Sequence, residues 1–397
     1  MSQQNPVFIP GPTNMPEALR KAVDMPTMDH RSSAFAEILQ PARAGVRAVL
    51  DSASAEIFVL PGTGTLGWEA ALTNTLSPGD RVLATRNGMF SARWIDMCQR
   101  LGLQVDVIER PWGAGIDADR IEDALRADSE GAIRAVLATH NETATGVTSD
   151  IAAVRAAMDA AGHGALLMVD GVSSIASMPF RMDAWGVDIA VTGSQKGFML
   201  PAGLAILGLS AKAMAALDDA GLPRAYMDLR DMGRSYDSGG FPYTPPVGLL
   251  NGLKLSCEML LDEGLEAVFA RHARIAEGVR AGVRGWGLDL CAQAPGLASN
   301  TVTAIRVPEG FDANKVVSRA AEVYGVAFGT GLGEVAGKVF RIGHLGLMTD
   351  VMALSGLAAA EMVMADLGLP VAPGSGVAAA QAHFRATLAG AARAEAA

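Results

Sequence analysis

The sequence predicts an α/β protein with a large domain built on a mostly parallel seven-stranded sheet, followed by a smaller α+β domain. Apolar strand-like runs alternate with helical segments over roughly the first half of the chain, which is typical of a parallel sheet covered by helices. Beyond Pro245-Pro246 the apolar spacing becomes helical, and mixed strands and helices follow. At 397 residues the chain is too long for one ordinary core, so two domains are expected.

The elements of the large domain follow from apolar runs bounded by turn residues and from apolar spacing with a helical period. The predicted strands are 56–60, 81–85, 104–108, 132–139, 165–169, 189–191 and 204–209. The predicted helices are 33–50, with a break or kink at Pro41, then 66–76, 91–101, 118–127 and 150–161. The last strand follows its predecessor too closely for a helical crossover, so it is expected to pair antiparallel.

The domain boundaries are expected as follows. Residues 1–20 should form an extended N-terminal arm, because four prolines exclude long regular structure. The large domain is assigned to 21–247, and the small domain to 248–370, starting with a long connecting helix or pair of helices broken near Gly264. The tail, 371–397, is expected to form a terminal helix or to fray. The small domain should contain strands 300–307, 326–328 and 339–342 and helices 314–324 and 350–367.

Composition and charge exclude several classes of protein. The chain is 50% hydrophobic and 19% charged, which indicates a globular protein. Its net charge of −10 and the lack of a basic stripe argue against a nucleic-acid partner. The three cysteines form neither a metal-binding nor a disulfide pattern, so no metal site is expected and the cytoplasm is the expected compartment. No signal peptide and no run of roughly 18 apolar residues is found, so no membrane association is expected.

Two charged residues stand where apolar strands end. The strand 165–169 leads directly to Asp170, and the strand 189–191 runs on through a short polar segment to Lys196. A lysine and a carboxylate at the carboxyl ends of neighbouring strands suit pyridoxal phosphate (PLP): the amine forms a Schiff base, and the carboxylate keeps the pyridine nitrogen protonated. The alternative is a solvated loop lysine and an aspartate that caps the next helix.

The segment 62–67 matches the pattern G-x-G-x-x-G between a strand and a helix. A dinucleotide site would also need an acidic residue at the end of the next strand, but that strand ends in 84–87 without one, and Asp80 precedes it. A phosphate site made of backbone N–H groups and two threonine hydroxyls fits the segment better. A purely structural turn is the third interpretation.

Three further features could line a site. Phe90 opens a helix at the same sheet edge and could stack on a planar ring or simply pack. The segment 139–146 ends a strand with six polar side chains, which favours a site lining, although His140 alone could be structural. Arg341 lies within an apolar strand and therefore needs an anion, either a substrate carboxylate or an internal acidic residue.

Together these segments resemble the class V aminotransferases among the fold-type I PLP enzymes, in particular the serine–, alanine– and aspartate–glyoxylate aminotransferases. The resemblance runs from Pro10 to Gly343. It implies PLP as cofactor, glyoxylate as amino acceptor and a small L-amino acid as donor, with aspartate favoured and serine as the alternative. Tyr243 and Thr244 match the pair that reaches the phosphate of a neighbouring subunit, which implies a homodimer with active sites at the subunit interface.

The resemblance also implies a role for each matching residue. Lys196 would carry the cofactor and transfer the proton, and Asp170 would pair with the pyridine nitrogen. Arg341 would bind the substrate α-carboxylate, with Gly11 in the same substrate site. The other cofactor-binding residues that it implies are Thr63, Gly64, Thr65, Phe90, Thr143 and Gln195.

Other functions fit parts of the pattern. A cysteine desulfurase would need a cysteine on the loop 329–337, which has none. A nicotinamide-dependent dehydrogenase depends on the segment 62–67 alone. A non-enzymatic regulator with the same fold would have lost Lys196 or gained a DNA-binding domain, and neither is seen. The candidates for binding the donor side chain are Arg31, Arg86, Arg93 and His344.

Overall fold

A computed structural model describes residues 5–395 of the chain, and its elements are numbered here in chain order. The strands are β1 Val7–Phe8, β2 Glu56–Gly62, β3 Arg81–Arg86, β4 Gln104–Glu109, β5 Ile133–Thr139, β6 Asn141–Glu142, β7 Val147–Thr148, β8 Leu166–Asp170, β9 Ile189–Gly193, β10 Gly203–Leu209, β11 Val302–Arg306, β12 Ala327–Thr330 and β13 Val339–Gly343. The helices are α1 Glu17–Val23, α2 Ser33–Val49, α3 Gly64–Thr75, α4 Met89–Arg100, α5 Ala118–Ala127, α6 Ile151–Ala160, α7 Ala211–Ala216, α8 Leu229–Asp237, α9 Val247–Glu263, α10 Leu265–Gly285, α11 Asn314–Tyr324, α12 Asp350–Asp366 and α13 Ser375–Glu395.

The large sheet has seven strands in the order β2-β10-β9-β8-β5-β3-β4, which confirms the predicted architecture. Strands β3, β4, β5, β8 and β9 pair in parallel, while β10 pairs antiparallel with both of its neighbours, as its short connection predicted. Asp170, at the end of β8, lies opposite Val191 in β9. The parallel register therefore brings the carboxyl ends of these two strands to one edge of the sheet.

The small sheet has the order β1-β12-β13-β11, and its first strand comes from the N-terminus. The prediction of an extended arm over 1–20 was wrong in part, because β1 pairs in parallel with β12 and α1 begins at Glu17. Pro16 stands at the N-cap of α1, where its missing N–H costs no helical hydrogen bond, so the proline starts a helix here. Residues 1–4 of the predicted arm lie outside the described residues.

Most predicted helices agree with the structure within a few residues at each end. The predicted break or kink at Pro41 is not a break, because α2 is a single helix whose buried residues on both sides of the proline pack against α9 and β2. The break near Gly264 is confirmed, since α9 ends at Glu263 and α10 begins at Leu265. Of the two outcomes expected for the tail, the structure has the helix, α13, which packs against α10. Helices α7 and α8 and the β6–β7 hairpin were not predicted.

Two apolar cores lie under the two sheets. One contains β2, β3, β5, β8, β9 and β10 with their covering helices, and the other surrounds the small sheet and includes Phe8 from β1. The N-terminal segment therefore packs with the C-terminal half of the chain before it crosses to the large sheet. No helix within residues 5–395 has the length and apolar character required to cross a bilayer.

Candidate active site

A cavity of about 270 Å³ lies at the carboxyl edge of the large sheet. Nine of the predicted site residues line it: Gly11, Thr63, Gly64, Thr65, Phe90, Thr143, Asp170, Gln195 and Lys196. It is also lined by residues that were not predicted: Pro12, Trp68, Val172, Ser173 and Ala202. A larger groove of about 660 Å³ opens beside the amino ends of β5 and β8 and contains none of the predicted residues.

Lys196 lies in the tight turn that follows β9. Backbone bonds from Met199 to the Lys196 carbonyl (2.9 Å) and from Leu200 to the Ser194 carbonyl (3.0 Å) close the turn and bring the lysine back over the sheet edge. Its Nζ donates a hydrogen bond to the carbonyl of Pro10. Gly11 has φ +109°, and a Cβ at this position would lie 2.6 Å from Nζ, so glycine is required there.

Lys196 and Asp170, which both line the cavity, have shifted pKa values. Burial lowers the pKa of the Lys196 amine to about 8, and the positive charge of Arg341 acts in the same direction. Burial raises the pKa of Asp170 to about 7; the backbone N–H of Val172, 3.0 Å from Oδ1, opposes this rise, and the negative charge of Glu142 adds to it. The lysine therefore reaches its neutral, nucleophilic form at a much lower pH than an exposed lysine does.

The start of α3 has the features of a phosphate site. Gly64 is its first residue, and the Thr63 side chain at the N-cap makes no capping hydrogen bond, so the first N–H groups are left available. Gln195 Oε1 is buried without a hydrogen-bond partner in the described structure. Turning this amide over would present its NH₂ group as a donor to an anion. The segment therefore fits the phosphate of PLP.

The polar segment 139–146 lines the cavity through Thr143. Thr143 Oγ1 donates to Ser173 Oγ (2.7 Å), and Asn141 Nδ2 donates to the same hydroxyl (2.8 Å). His140 does not line the cavity: its Nδ1 lies 2.8 Å from Ser174 Oγ, and burial lowers its pKa to about 4. Ser173 could have been found from the sequence, because it follows Asp170 by three positions in the same loop.

Arg341 lies in the middle of β13 and is 7% exposed. Its Nε donates to the carbonyl of Thr330 (2.8 Å) and its Nη1 to the carbonyl of Thr143 (2.9 Å). No carboxylate of the described residues forms an ion pair with it within 4 Å, so the alternative of an internal ion pair is not found. Burial lowers the pKa of Arg341 to about 10. The guanidinium is thus a buried cation directly behind the cavity wall at Thr143.

Tyr243 and Thr244 do not line the cavity of this single chain. Tyr243 stacks on Tyr226 with ring centroids 4.6 Å apart, and Thr244 is exposed. The four residues considered for binding the donor side chain also do not line this cavity. Arg86 is paired with Glu109, and His344 is buried against Thr303.

Arg93 and Arg31 are the other two candidates. The Arg93 guanidinium lies 5.6 Å from the ring centroid of Phe90, so it contacts a residue of the cavity wall. The Arg31 side chain is exposed, and only its backbone makes a hydrogen bond. The described residues contain no cluster of three His, Cys, Asp or Glu side chains that could hold a metal ion.

Comparison with known proteins agrees with this arrangement. A family model described as aminotransferase class-V matches residues 17–341. The chain is 69% identical to the L-aspartate–glyoxylate aminotransferase of Paracoccus denitrificans, over 98% of this chain and 99% of that protein. It is 51% identical to the serine–glyoxylate aminotransferase of Methylorubrum extorquens, over 96% of each protein.

A solved structure shares the fold over nearly the whole length. The pyridoxamine–pyruvate aminotransferase of Mesorhizobium loti superposes with a TM-score of 0.90 at 32% identity, covering 98% of this chain and 99% of that one. These similarities agree with the seven-stranded sheet and with the lysine and aspartate at its carboxyl edge. The chain belongs to the class V aminotransferases, PLP-dependent enzymes of fold type I.

Proposed function

We propose that this protein transfers the amino group of L-aspartate to glyoxylate, giving oxaloacetate and glycine. The observation that carries the proposal is one cavity lined by both Lys196 and Asp170, with the buried cation of Arg341 behind its wall at Thr143. The chain is also 69% identical to an L-aspartate–glyoxylate aminotransferase over almost its full length. L-Serine, giving hydroxypyruvate, is the second candidate donor, supported by 51% identity to a serine–glyoxylate aminotransferase.

The residues around the cavity fit PLP part by part. Thr63, Gly64, Thr65 and Gln195 would hold the phosphate at the start of α3, where N–H groups are available. Phe90 would cover one face of the ring, and Thr143 and Asp170 would bind its edge. When bound, PLP supplies an aldehyde that takes up the amino group and a ring that accepts electrons from the substrate α-carbon.

Lys196 would hold the cofactor and move the proton. Its amine is buried, with a pKa of about 8, so its neutral form can accept a proton from the substrate α-carbon and then donate it. The carbonyl of Pro10 and the absence of a side chain at Gly11 fix the position of Nζ. Asp170 would pair with the pyridine nitrogen and keep it protonated.

Arg341 would bind the carboxylate that both substrates carry beside the reacting carbon. One arginine can serve both halves of the reaction, because aspartate and glyoxylate share this group. Its Nε and Nη1 are held by carbonyl oxygens of Thr330 and Thr143, which fixes the guanidinium plane. Its Nη2 is left without a protein acceptor among the described residues, which supports an anion as its partner.

A homodimer is part of this proposal. Tyr243 and Thr244 lie outside the chain's own cavity, and Tyr226 beside them is 46% exposed, as expected of residues that serve a partner's site. The molar mass in solution should be twice the 41.1 kDa of the chain. A fully active monomer would contradict it. A cytoplasmic location also belongs to the proposal, supported by three cysteines that are all buried as free thiols, and cell fractionation tests it.

The donor is tested by assaying glycine formation from glyoxylate with aspartate, serine, alanine and glutamate in turn. We expect kcat/KM for aspartate to exceed that for serine by at least about tenfold. A charge-assisted hydrogen bond to the side-chain carboxylate of aspartate contributes about 1.5 kcal/mol or more of binding free energy, and serine lacks this carboxylate. A preference for serine would replace aspartate by the second candidate. Absence of glycine with all four donors would refute the glyoxylate proposal altogether.

A further inference from the structure

Glu142 carries a carboxylate that none of the roles above uses. It lies in the β6–β7 hairpin beside the cavity, and its side chain is completely buried. A buried carboxylate requires either a cation or several hydrogen-bond donors. No Lys, Arg or His nitrogen of the described residues lies within 4 Å of a Glu142 carboxylate oxygen. Hydrogen-bond donors must therefore stabilise the buried carboxylate of Glu142.

Four donors surround this carboxylate. The backbone N–H groups of Phe90 and Ser91 each lie 3.0 Å from Oε2, and that of Ala144 lies 3.1 Å from Oε1. The Ser91 hydroxyl lies 3.3 Å from Oε2 and 3.0 Å from the carbonyl of Gly88, so these two oxygens compete for its single proton. Burial raises the pKa of Glu142, and the N–H groups of Ser91, Ala144 and Phe90 oppose this rise because they stabilise the ionised carboxylate. Two of the N–H groups belong to the first turn of α4, so Glu142 binds the amino end of that helix, where a negative charge is stabilised.

This contact holds the start of the helix that carries Phe90, the residue that would cover the cofactor ring. Phe90 is the second residue of α4 and part of the cavity wall, and its own backbone N–H is held by Glu142. Gly88 precedes the helix, and a Cβ there would overlap the Glu142 side chain. The chain thus enters α4 in direct contact with the glutamate, so the position of the Phe90 ring depends on it.

Glu142 also contributes charge to the site. Its negative charge raises the pKa of Asp170 and opposes the lowering of the pKa of Arg341. The charged groups that interact here are Glu142 and Asp170, both acidic, and Lys196 and Arg341, both basic. His140, two residues away, is neutral near pH 7 because burial lowers its pKa to about 4.

We propose that Glu142 is a positioning residue of the active site: it holds Phe90 in the cavity wall through the start of α4 and balances the buried positive charge of Arg341. This inference depends on the proposed PLP site, but not on which donor is used. Wild-type glycine formation tests the proposed function separately, so failure of one can be distinguished from failure of the other.

Glu361 offers a matched control in the second core. Its buried carboxylate contacts the amino end of α13, where it accepts from the backbone N–H groups of Gly374, Gly376 and Val377. It also accepts from Trp286 Nε1. It lies in α12, outside the cavity lining. Glu361→Gln therefore reproduces the loss of a buried helix-capping charge without touching the active site.

The test compares Glu142→Gln with Glu361→Gln by two measurements: the Kd of the apoprotein for PLP, and the pH midpoint of the visible absorption of the bound cofactor. Glu142→Gln is expected to weaken cofactor binding about tenfold, the equivalent of one charge-assisted hydrogen bond. It should also lower the pH midpoint by about half a unit to one unit, because removal of a nearby negative charge disfavours protonated, cationic forms. Glu361→Gln should lower Tm and leave both quantities unchanged.

An unchanged midpoint and Kd in Glu142→Gln, or equal shifts in Glu361→Gln, would overturn the proposal. If Glu142→Gln does not fold, Glu142→Asp decides, because it keeps the charge but withdraws the carboxylate from α4 by one carbon–carbon bond. The proposal then requires a weaker Kd with a wild-type midpoint. A wild-type Kd in Glu142→Asp would contradict the positioning role.

Discussion

Replacement of Lys196 by alanine is expected to abolish the visible absorption of the bound cofactor and to lower kcat for glycine formation by at least about 10⁴-fold. General acid–base catalysis alone contributes about 10²–10⁴-fold, and the lysine also supplies the nucleophile that holds the cofactor. No second lysine lines the cavity among the described residues, so none can take over either role. The measurements are an absorption spectrum after PLP addition and steady-state kinetics with aspartate and glyoxylate.

Lys254→Ala is the matched control for this experiment. Lys254 lies on α9, is half-buried and forms no ion pair within the described residues, and it does not line the cavity. Its replacement should leave the spectrum and kcat within about twofold of wild type, since surface substitutions usually change stability by less than about 0.5 kcal/mol. If Lys196→Ala formed glycine at a rate within about twofold of wild type, Lys196 would have no part in the mechanism.

Much of this site could be predicted because it lies where parallel strands end. The alternation of strands and helices is readable from the sequence, and parallel strands bring their carboxyl ends to one edge of the sheet. Asp170 and Lys196 follow two such strands, and the segment 62–67 opens a helix at the same edge. Their convergence on one cavity required no knowledge of packing.

Other parts of the site depend on tertiary contacts that no local pattern encodes. Strand β1 pairs with β12, from the far end of the chain, and this pairing delivers Gly11 to Lys196. The four prolines of this segment, Pro6, Pro10, Pro12 and Pro16, indicated only an extended arm. The same holds for Glu142: an acidic residue in a polar segment is usually exposed, and its burial beneath α4 appears only when the hairpin packs.

Replacement of Arg341 by methionine is expected to raise the KM of both aspartate and glyoxylate by about 100-fold, with a smaller change in kcat. A charge-assisted pair of hydrogen bonds to a carboxylate contributes about 3 kcal/mol, and its loss affects ground state and transition state alike. Because both substrates present the same carboxylate, the two KM values should rise together. Initial rates measured over a grid of both substrate concentrations give the two values.

Arg306→Met is the matched control, because Arg306 lies on β11, the strand that pairs with β13, and the one side-chain hydrogen bond that it makes to the described residues goes to Cys291 Sγ. That variant should keep both KM values. Thermal unfolding separates a binding role from a structural one. Removal of Arg341 relieves a desolvated charge but leaves the carbonyls of Thr330 and Thr143 without their donor. These two effects oppose each other, so Tm should change little. A large fall in Tm with unchanged KM values would make Arg341 a structural residue and leave the substrate carboxylate to another group.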